Sequence, residues 1–319
     1  MRLSTSQIFN SGTTGMQNLQ YGLYKIQQQM SSGRRILSPA DDPIGATQAL
    51  QVTQSKGINE QFLKNIGEAT SKLNLLDSTL SGVEQELQVI LERAVQAGNA
   101  SLSDEQRGMI AEELRQRMSS LISLGNTKDG TGLYIFAGFK SATQPFQVDP
   151  GATPPYSLAS GTHVGYSGDG GVETLQVSGS RTIATSENGL GVFMQVRDAQ
   201  GNPTGRSMFD SLQNMIDILD PASGIPFTTA AYEQALGDTN ASVAHLSTVR
   251  ASVGARLQSL DSMATTANDS DYLYKVRLSE LQDLDYYDAA SQLAQLQLQL
   301  EAAQLSFKQT SQLSLFNIL

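Results

Sequence analysis

The stretch IGEATSKLNLLDSTLSGVEQELQVILERA, residues 66–94, decides the fold. Ile66, Ala69, Leu73, Leu76, Leu80, Val83, Leu87, Ile90 and Ala94 stand at alternating steps of three and four. That places all of them on one stripe of a helix with a heptad period, whereas a strand would scatter them over both faces. A second seam fills the C-terminal third: Leu236, Val243, Leu246, Val253, Leu257, Leu260, Ala264, Ala267, Tyr274, Leu278 and Leu281 keep one phase, interrupted at Thr239, Arg250 and Asp271. A narrow apolar stripe is buried only against another element, so the two seams predict long helices packed together.

Outward from these seams the phase breaks twice. Near the N-terminus a helix is expected from Ser4, with Gln7 as its capping partner and Leu19, Leu23, Ile26 and Met30 on one face. Gly33 ends it, and a loop runs to Asp42 and Pro43, an N-cap followed by a first helical position. Near the C-terminus the seam slips at 282–288, and a new one begins: Ala289, Leu293, Leu296, Leu300, Ala303 and Phe307. The outer segments have about 29 and about 31 residues, each on the order of 45 Å long. If the chain runs out and returns, they lie antiparallel at the same end. A shorter helix follows a capping box at Ser103 and Gln106, carries Ile110, Leu114, Met118 and Leu121, and stops at Gly125-Asn126.

Seven of the nine prolines and 15 of the 28 glycines lie between residues 130 and 226. Strands are expected there at Leu133–Phe139, His163–Tyr166, Glu173–Val177, Arg181–Thr185 and Val192–Val196, with a hairpin turn at Gly168-Asp169-Gly170-Gly171. A helix returns at Ser207, capped with Asp210, with Phe209, Leu212, Ile216 and Leu219 apolar. The expected architecture is mainly α with a β-rich insertion. A long antiparallel coiled-coil-like helical rod is built from both chain ends, with a small β domain at its tip. Three domains follow: residues 1–42 with 283–319, residues 43–140 with 207–282, and the solvent-facing tip, 141–206. Joined to the rod at two nearby points, the tip is expected to be dispensable for folding.

Composition excludes several functions. A net charge of −10 argues against a nucleic-acid binder, which needs clustered Lys and Arg. The absence of Cys removes disulfides, thiolate nucleophiles and Cys-based zinc sites. His163 and His245 are far apart, so a His-rich metal site or His-paired catalytic centre is not expected. Asp41-Asp42 and Asp283/Asp285 read better as caps and helix-break residues than as acid–base pairs. Arg34 and Arg35 beside Asp41 and Asp42 suit ion pairs. Residues 165–171 hold no phosphate-binding lysine. No catalytic, cofactor or metal residue is assigned. The N-terminus has no apolar core of a secretory signal, and the longest apolar run, 133–139, falls short of the ~20 residues that cross a bilayer. The chain is therefore expected to be cytoplasmic or exported without a cleaved signal.

The ends are charge-poor. Residues 1–32 and 289–319 carry only Arg2, Lys25, Glu301 and Lys308, with glutamine in place of charge at 17, 20, 27–29, 292, 295, 297, 299, 304, 309 and 312. A two-helix hairpin has little core of its own, and amides pack at an interface without an ion's desolvation cost. Burial of the ends in an assembly is expected, through Leu19, Leu23, Ile26, Met30, Leu293, Leu296, Leu300, Ala303, Phe307, Leu313, Leu315 and Phe316.

Three blocks resemble the flagellin family: QMSSGRRILSPADDP at 29–43, ERAVQAGN at 92–99 and RLSELQDLDY at 277–286. The stretch LYIFAGF at 133–139, followed by Pro145-Phe146, and the short middle resemble the branch of that family that joins hook to filament. The resemblance implies a structural, non-enzymatic, self-assembling subunit whose terminal helices line the core of a tubular assembly outside the bacterial cell. It implies type III export through the flagellum without a signal peptide. The implied partners are further copies of itself, the first hook-associated protein, flagellin and an export chaperone, with no nucleic acid and no membrane. The other readings are a short filament subunit or an adhesin using the β-rich tip; an enzyme comes third.

Overall fold

A computed structural model describes the backbone of residues 5–316 and the side chains of residue 7 and residues 9–311. The expected cap at Ser4 lies outside them. The helices are α1 (Thr5–Ser32), α2 (Pro43–Ala97), α3 (Asp104–Gly125), α4 (Met208–Leu219), α5 (Thr229–Gln282) and α6 (Tyr286–Phe316). Four short strands lie between α3 and α4: β1 (Phe146–Val148), β2 (Val164–Tyr166), β3 (Thr174–Ser178) and β4 (Arg181–Ala184). They form two antiparallel pairs, β1 with β2 and β3 with β4. The fold is mainly helical with a small β region, as the heptad reading requires.

The boundaries follow local chemistry. Asp42 Oδ1 accepts the Gly45 amide at 2.8 Å and Pro43 opens α2. Reciprocal capping boxes start α3 at Ser103–Gln106 and α4 at Ser207–Asp210. Gly33, at φ +69°, ends α1 in the left-handed conformation that only glycine adopts cheaply. The slip at 282–288 is the gap between α5 and α6.

The chain forms two compact units, residues 61–267 and residues 1–60 with 268–319. In the first, all nine seam positions from Ile66 to Ala94 are buried. They share one cluster with Leu114, Met118 and Leu121 of α3 and with Leu246, Val253 and Leu260 of α5. Two of the polar interruptions of the α5 seam fall here. Thr239 donates to the Ala235 carbonyl at 2.8 Å, and Arg250 forms ion pairs with Asp77, at 3.2 Å, and Glu84 of α2.

The strand expectations need correction. Val192–Val196 is not a strand: Leu190–Met194 is a π-helical turn. Val192, Phe193 and Met194 are all buried, whereas an alternating strand would expose the middle one. Leu133–Phe139 makes only an isolated bridge, Tyr134 to Lys128. Gly168–Gly171 joins β2 to β3 rather than turning a hairpin; the β3–β4 turn is at Gly179-Ser180. β1, boxed between Pro145 and Pro150, was too short to read. Nor does the β-rich part stand apart from the helices. Phe146 and Phe193 meet at 5.0 Å, and Phe193 stacks on Phe209 of α4 at 5.7 Å, all in the cluster that holds the α2 seam. Excising residues 145–203 would open that core, so the expectation that they are dispensable for folding fails.

Candidate assembly surface

The unit made of residues 1–60 and 268–319 carries the residues expected at an interface. Along α1 and α6 the helices run antiparallel and pack on each other. Phe307 lies 5.0 Å from Phe9, and a Cβ added to Gly12 would fall 2.7 Å from its ring. Gly22 faces Leu296, whose methyls lie 3.5 Å from where a Cβ would be. Ile26 and Ala289 are buried, while Leu19, Leu23, Met30, Leu293, Leu300 and Ala303 are half-buried, as are Leu296 and Phe307. The structure thus brings these residues together along a seam inside one chain. The side chains of Leu313, Leu315 and Phe316 lie outside the described residues.

The two helix breaks are stitched together. Arg34 and Asp283 form an antiparallel bridge, the Arg35 amide donates to Gln282 O at 2.7 Å, and the Leu284 amide donates to Gly33 O at 3.0 Å. The Arg35 guanidinium donates to Leu281 O at 2.9 Å and pairs with Asp42 at 3.2 Å. Asp41 does not pair with the arginines. Its partner is Lys25 at 2.7 Å, and its second oxygen accepts the Leu37 and Ser38 amides. The Lys25 hydrogen bond, reinforced by those amides, lowers its pKa to about 2. Arg34 is exposed and contributes its backbone.

What the seam reading missed is the outer surface of this unit. Tyr21, Tyr24, Ile44, Leu50, Tyr287, Leu298 and Leu305 are each more than 60% exposed. Leu298 and Leu305 stand seven residues apart on α6, off the inner seam; that second spacing was the available signal. Among the described residues, no group of His, Cys, Asp or Glu could hold a metal, and no helix is long and apolar enough to cross a membrane.

The geometry is that of a mainly helical protein in which long helices from both ends of the chain pack on each other and leave large apolar side chains exposed. Residues 3–141 match the family described as the bacterial flagellin N-terminal helical region. Over its full length the chain is 31% identical to flagellar hook-associated protein 3 of Salmonella typhimurium, covering 99% of that protein. It is 32% identical to flagellar hook-associated protein 3 of Escherichia coli, again covering 99%. The fold is shared with the crystal structure of flagellar hook-associated protein 3 from Legionella pneumophila, at TM-score 0.61 and 22% identity over 73% of this chain and 98% of that one. The chain belongs to the flagellar hook-associated protein 3 family, whose members are structural proteins of the bacterial flagellum.

Proposed function

We propose that this chain is a non-enzymatic subunit that associates with copies of itself through its terminal helices to form the junction between hook and filament. The observation that carries the reading is the uncovered apolar surface of the terminal unit. In residues 61–267, α3, α4 and the strands help cover the long helices. Among the described residues of 1–60 with 268–319 no further helix or strand plays that part, and Ile44, Leu50, Tyr272 and Leu273 are left exposed. Large apolar side chains left exposed along helices in this way suit association with further subunits. In this reading residues 1–42 with 283–319 are the assembling element, residues 43–140 with 207–282 the inner helices, and residues 141–206 the β-rich part. The partners are the first hook-associated protein on one side and flagellin on the other, with a dedicated chaperone before export by the flagellar type III route to the cell exterior. The test is complementation of a flagellated strain lacking its own junction protein. The full-length chain restores filaments on hooks, and a chain lacking residues 1–32 or 289–319 is exported but leaves hooks bare. Filament growth with either truncation would overturn the reading.

A further inference from the structure

The turns at 33–42 and 283–285 interrupt the chain side by side, with Arg34 bridged to Asp283, so no helix runs unbroken from the α1–α6 pair into α2 or α5. The direction in which the pair leaves the first turns of α2 and the last turns of α5 is set by the bonds across these breaks. Four of them meet on Arg35. Its amide donates to Gln282 O at 2.7 Å, and its carbonyl accepts the Nε2 of Gln29, a buried side chain of α1, at 2.5 Å. Its Nη2 donates both to Leu281 O at 2.9 Å and to Asp42 Oδ2 at 3.2 Å. One residue is thus tied to α1, to the N-cap of α2 and to the end of α5.

The guanidinium stands where two helix ends need it. The last four carbonyls of an α-helix have no partner within it. In α5, Ser279 O takes the Asp283 amide, and Leu281 O and Gln282 O both take Arg35, which lies 246 residues before Leu281. The cation faces the negative end of α5, and its partner Asp42 caps the positive end of α2. A guanidinium holds its acceptors in a fixed plane, whereas an ammonium gathers them without fixing their angle. Neither Arg35 nor Asp42 is fully buried, so their ion pair adds little to stability. Its effect is on geometry: an acceptor on α5 and one on α2 share a single nitrogen.

We propose that Arg35 is the positioning residue of the terminal unit: by capping α5 and holding the α2 cap at once, it fixes the direction of the α1–α6 pair and hence the faces of that pair that neighbouring subunits meet. Tyr286 supports the same setting from α6, its hydroxyl donating to Met30 O at 3.2 Å and lying over Gly33. The inference rests on the assembly reading above and deepens it, since terminal helices that swing freely present no single surface to a neighbour.

The chain has no cysteine, so spin labels at the exposed positions Gln20→Cys of α1 and Gln51→Cys of α2 report one distance in the full-length chain. In this labelled background the distance distribution is narrow. Arg35→Met widens it roughly twofold, Arg35→Lys falls between, and Arg34→Ala leaves it narrow, because Arg34 contributes its backbone. The main thermal transition is the same in all of them. In the complementation assay Arg35→Met is exported and yields fewer filaments than Arg34→Ala. A narrow distribution in Arg35→Met, a broad one before any substitution at 35, or equal broadening by Arg34→Ala overturns the positioning role. So does a lowered main transition in Arg35→Met, which would make the residue part of the core. A widened distribution with a normal number of filaments overturns the inference and leaves the assembly reading standing. That reading fails separately, when a chain lacking residues 1–32 grows filaments.

Discussion

Leu80→Ala and Leu296→Asp, compared side by side, separate the core from the assembling surface. Leu80 is fully buried in the middle of the α2 seam, between Leu76 and Val83. Truncating such a leucine costs about 2–5 kcal/mol, because a packed helical seam collapses poorly onto the cavity. For a unit the size of residues 61–267, 1 kcal/mol moves the midpoint by about 2–4 °C, so a loss of ~3 kcal/mol lowers it by roughly 6–12 °C. Leu296 is half-buried against Gly22 in the α1–α6 pair. Its loss removes roughly half of the 1.5–3 kcal/mol for a fully buried leucine, and an unpaired carboxylate on the seam adds about 1–3 kcal/mol. The total, ~2–4 kcal/mol, exceeds what an isolated helix pair holds. In calorimetry with hydrogen-exchange mass spectrometry, Leu80→Ala lowers the main transition and still assembles at 20 °C. Leu296→Asp leaves that transition in place, strips amide protection from residues 9–30 and 289–307, and abolishes assembly. If Leu296→Asp lowers the main transition as far as Leu80→Ala does, the α1–α6 pair belongs to the principal core and the reasoning fails.

Three further outcomes follow from the electrostatics. Asp41, held at about 2, contributes stability that is present above its unfolded value of 3.8 and is lost as pH falls toward 2. The Leu37 and Ser38 amide resonances therefore titrate near 2, and in Lys25→Met the midpoint moves up toward the ordinary value. Asp217 is raised, chiefly by burial, so its charged form is penalised as pH rises above 3.8. Asp217→Asn then raises the melting temperature at pH 7 and has little effect below pH 3.8; equal effects at both would exclude an ionic cause. Arg250→Ala leaves Glu84 and Asp77 without their guanidinium and costs about 1–2 kcal/mol, intermediate between exposed and buried pairs, read from urea unfolding at low salt.

The helices were legible because each announces itself twice, by a periodic seam and by caps. The α2 seam, the boxes at Ser103 and Ser207, the Asp42–Pro43 start and the slip at 282–288 all concern residues within a turn or two of each other, where helix chemistry is local. The middle was less legible because its conformation is set at long range. Val192–Val196 reads as a strand by composition, yet Leu190–Met194 is a helical turn whose Phe193 is packed among Phe136, Phe146 and Phe209, a set no local pattern reveals. The candidate interface was half legible. The seam residues of α1 and α6 were identified as apolar faces, but periodicity cannot say whether such a face meets its own chain or another.

The α1–α6 pair shows how one chain can fix a helix register almost without charge. Where α2 meets α5, register is set by ions: Arg250 spans Asp77 and Glu84, and Lys56 lies 3.8 Å from Asp271, which fills a broken seam position. A helix slipped by one turn would separate those charges. Along α1 and α6 the charges are nearly gone, and size takes over. Phe307 fits over Gly12 and Leu296 over Gly22, ten residues apart on α1 and eleven on α6. A one-turn slip would set Leu296 against Leu19 or Ile26, which already carry large side chains. In the proposed assembly, where other copies cover the outer face, the arrangement matters. Surface ions on that face would have to be desolvated or matched at every contact. Glutamine, tyrosine and leucine face outward there instead, and the glycine sockets keep the pair in register beneath them.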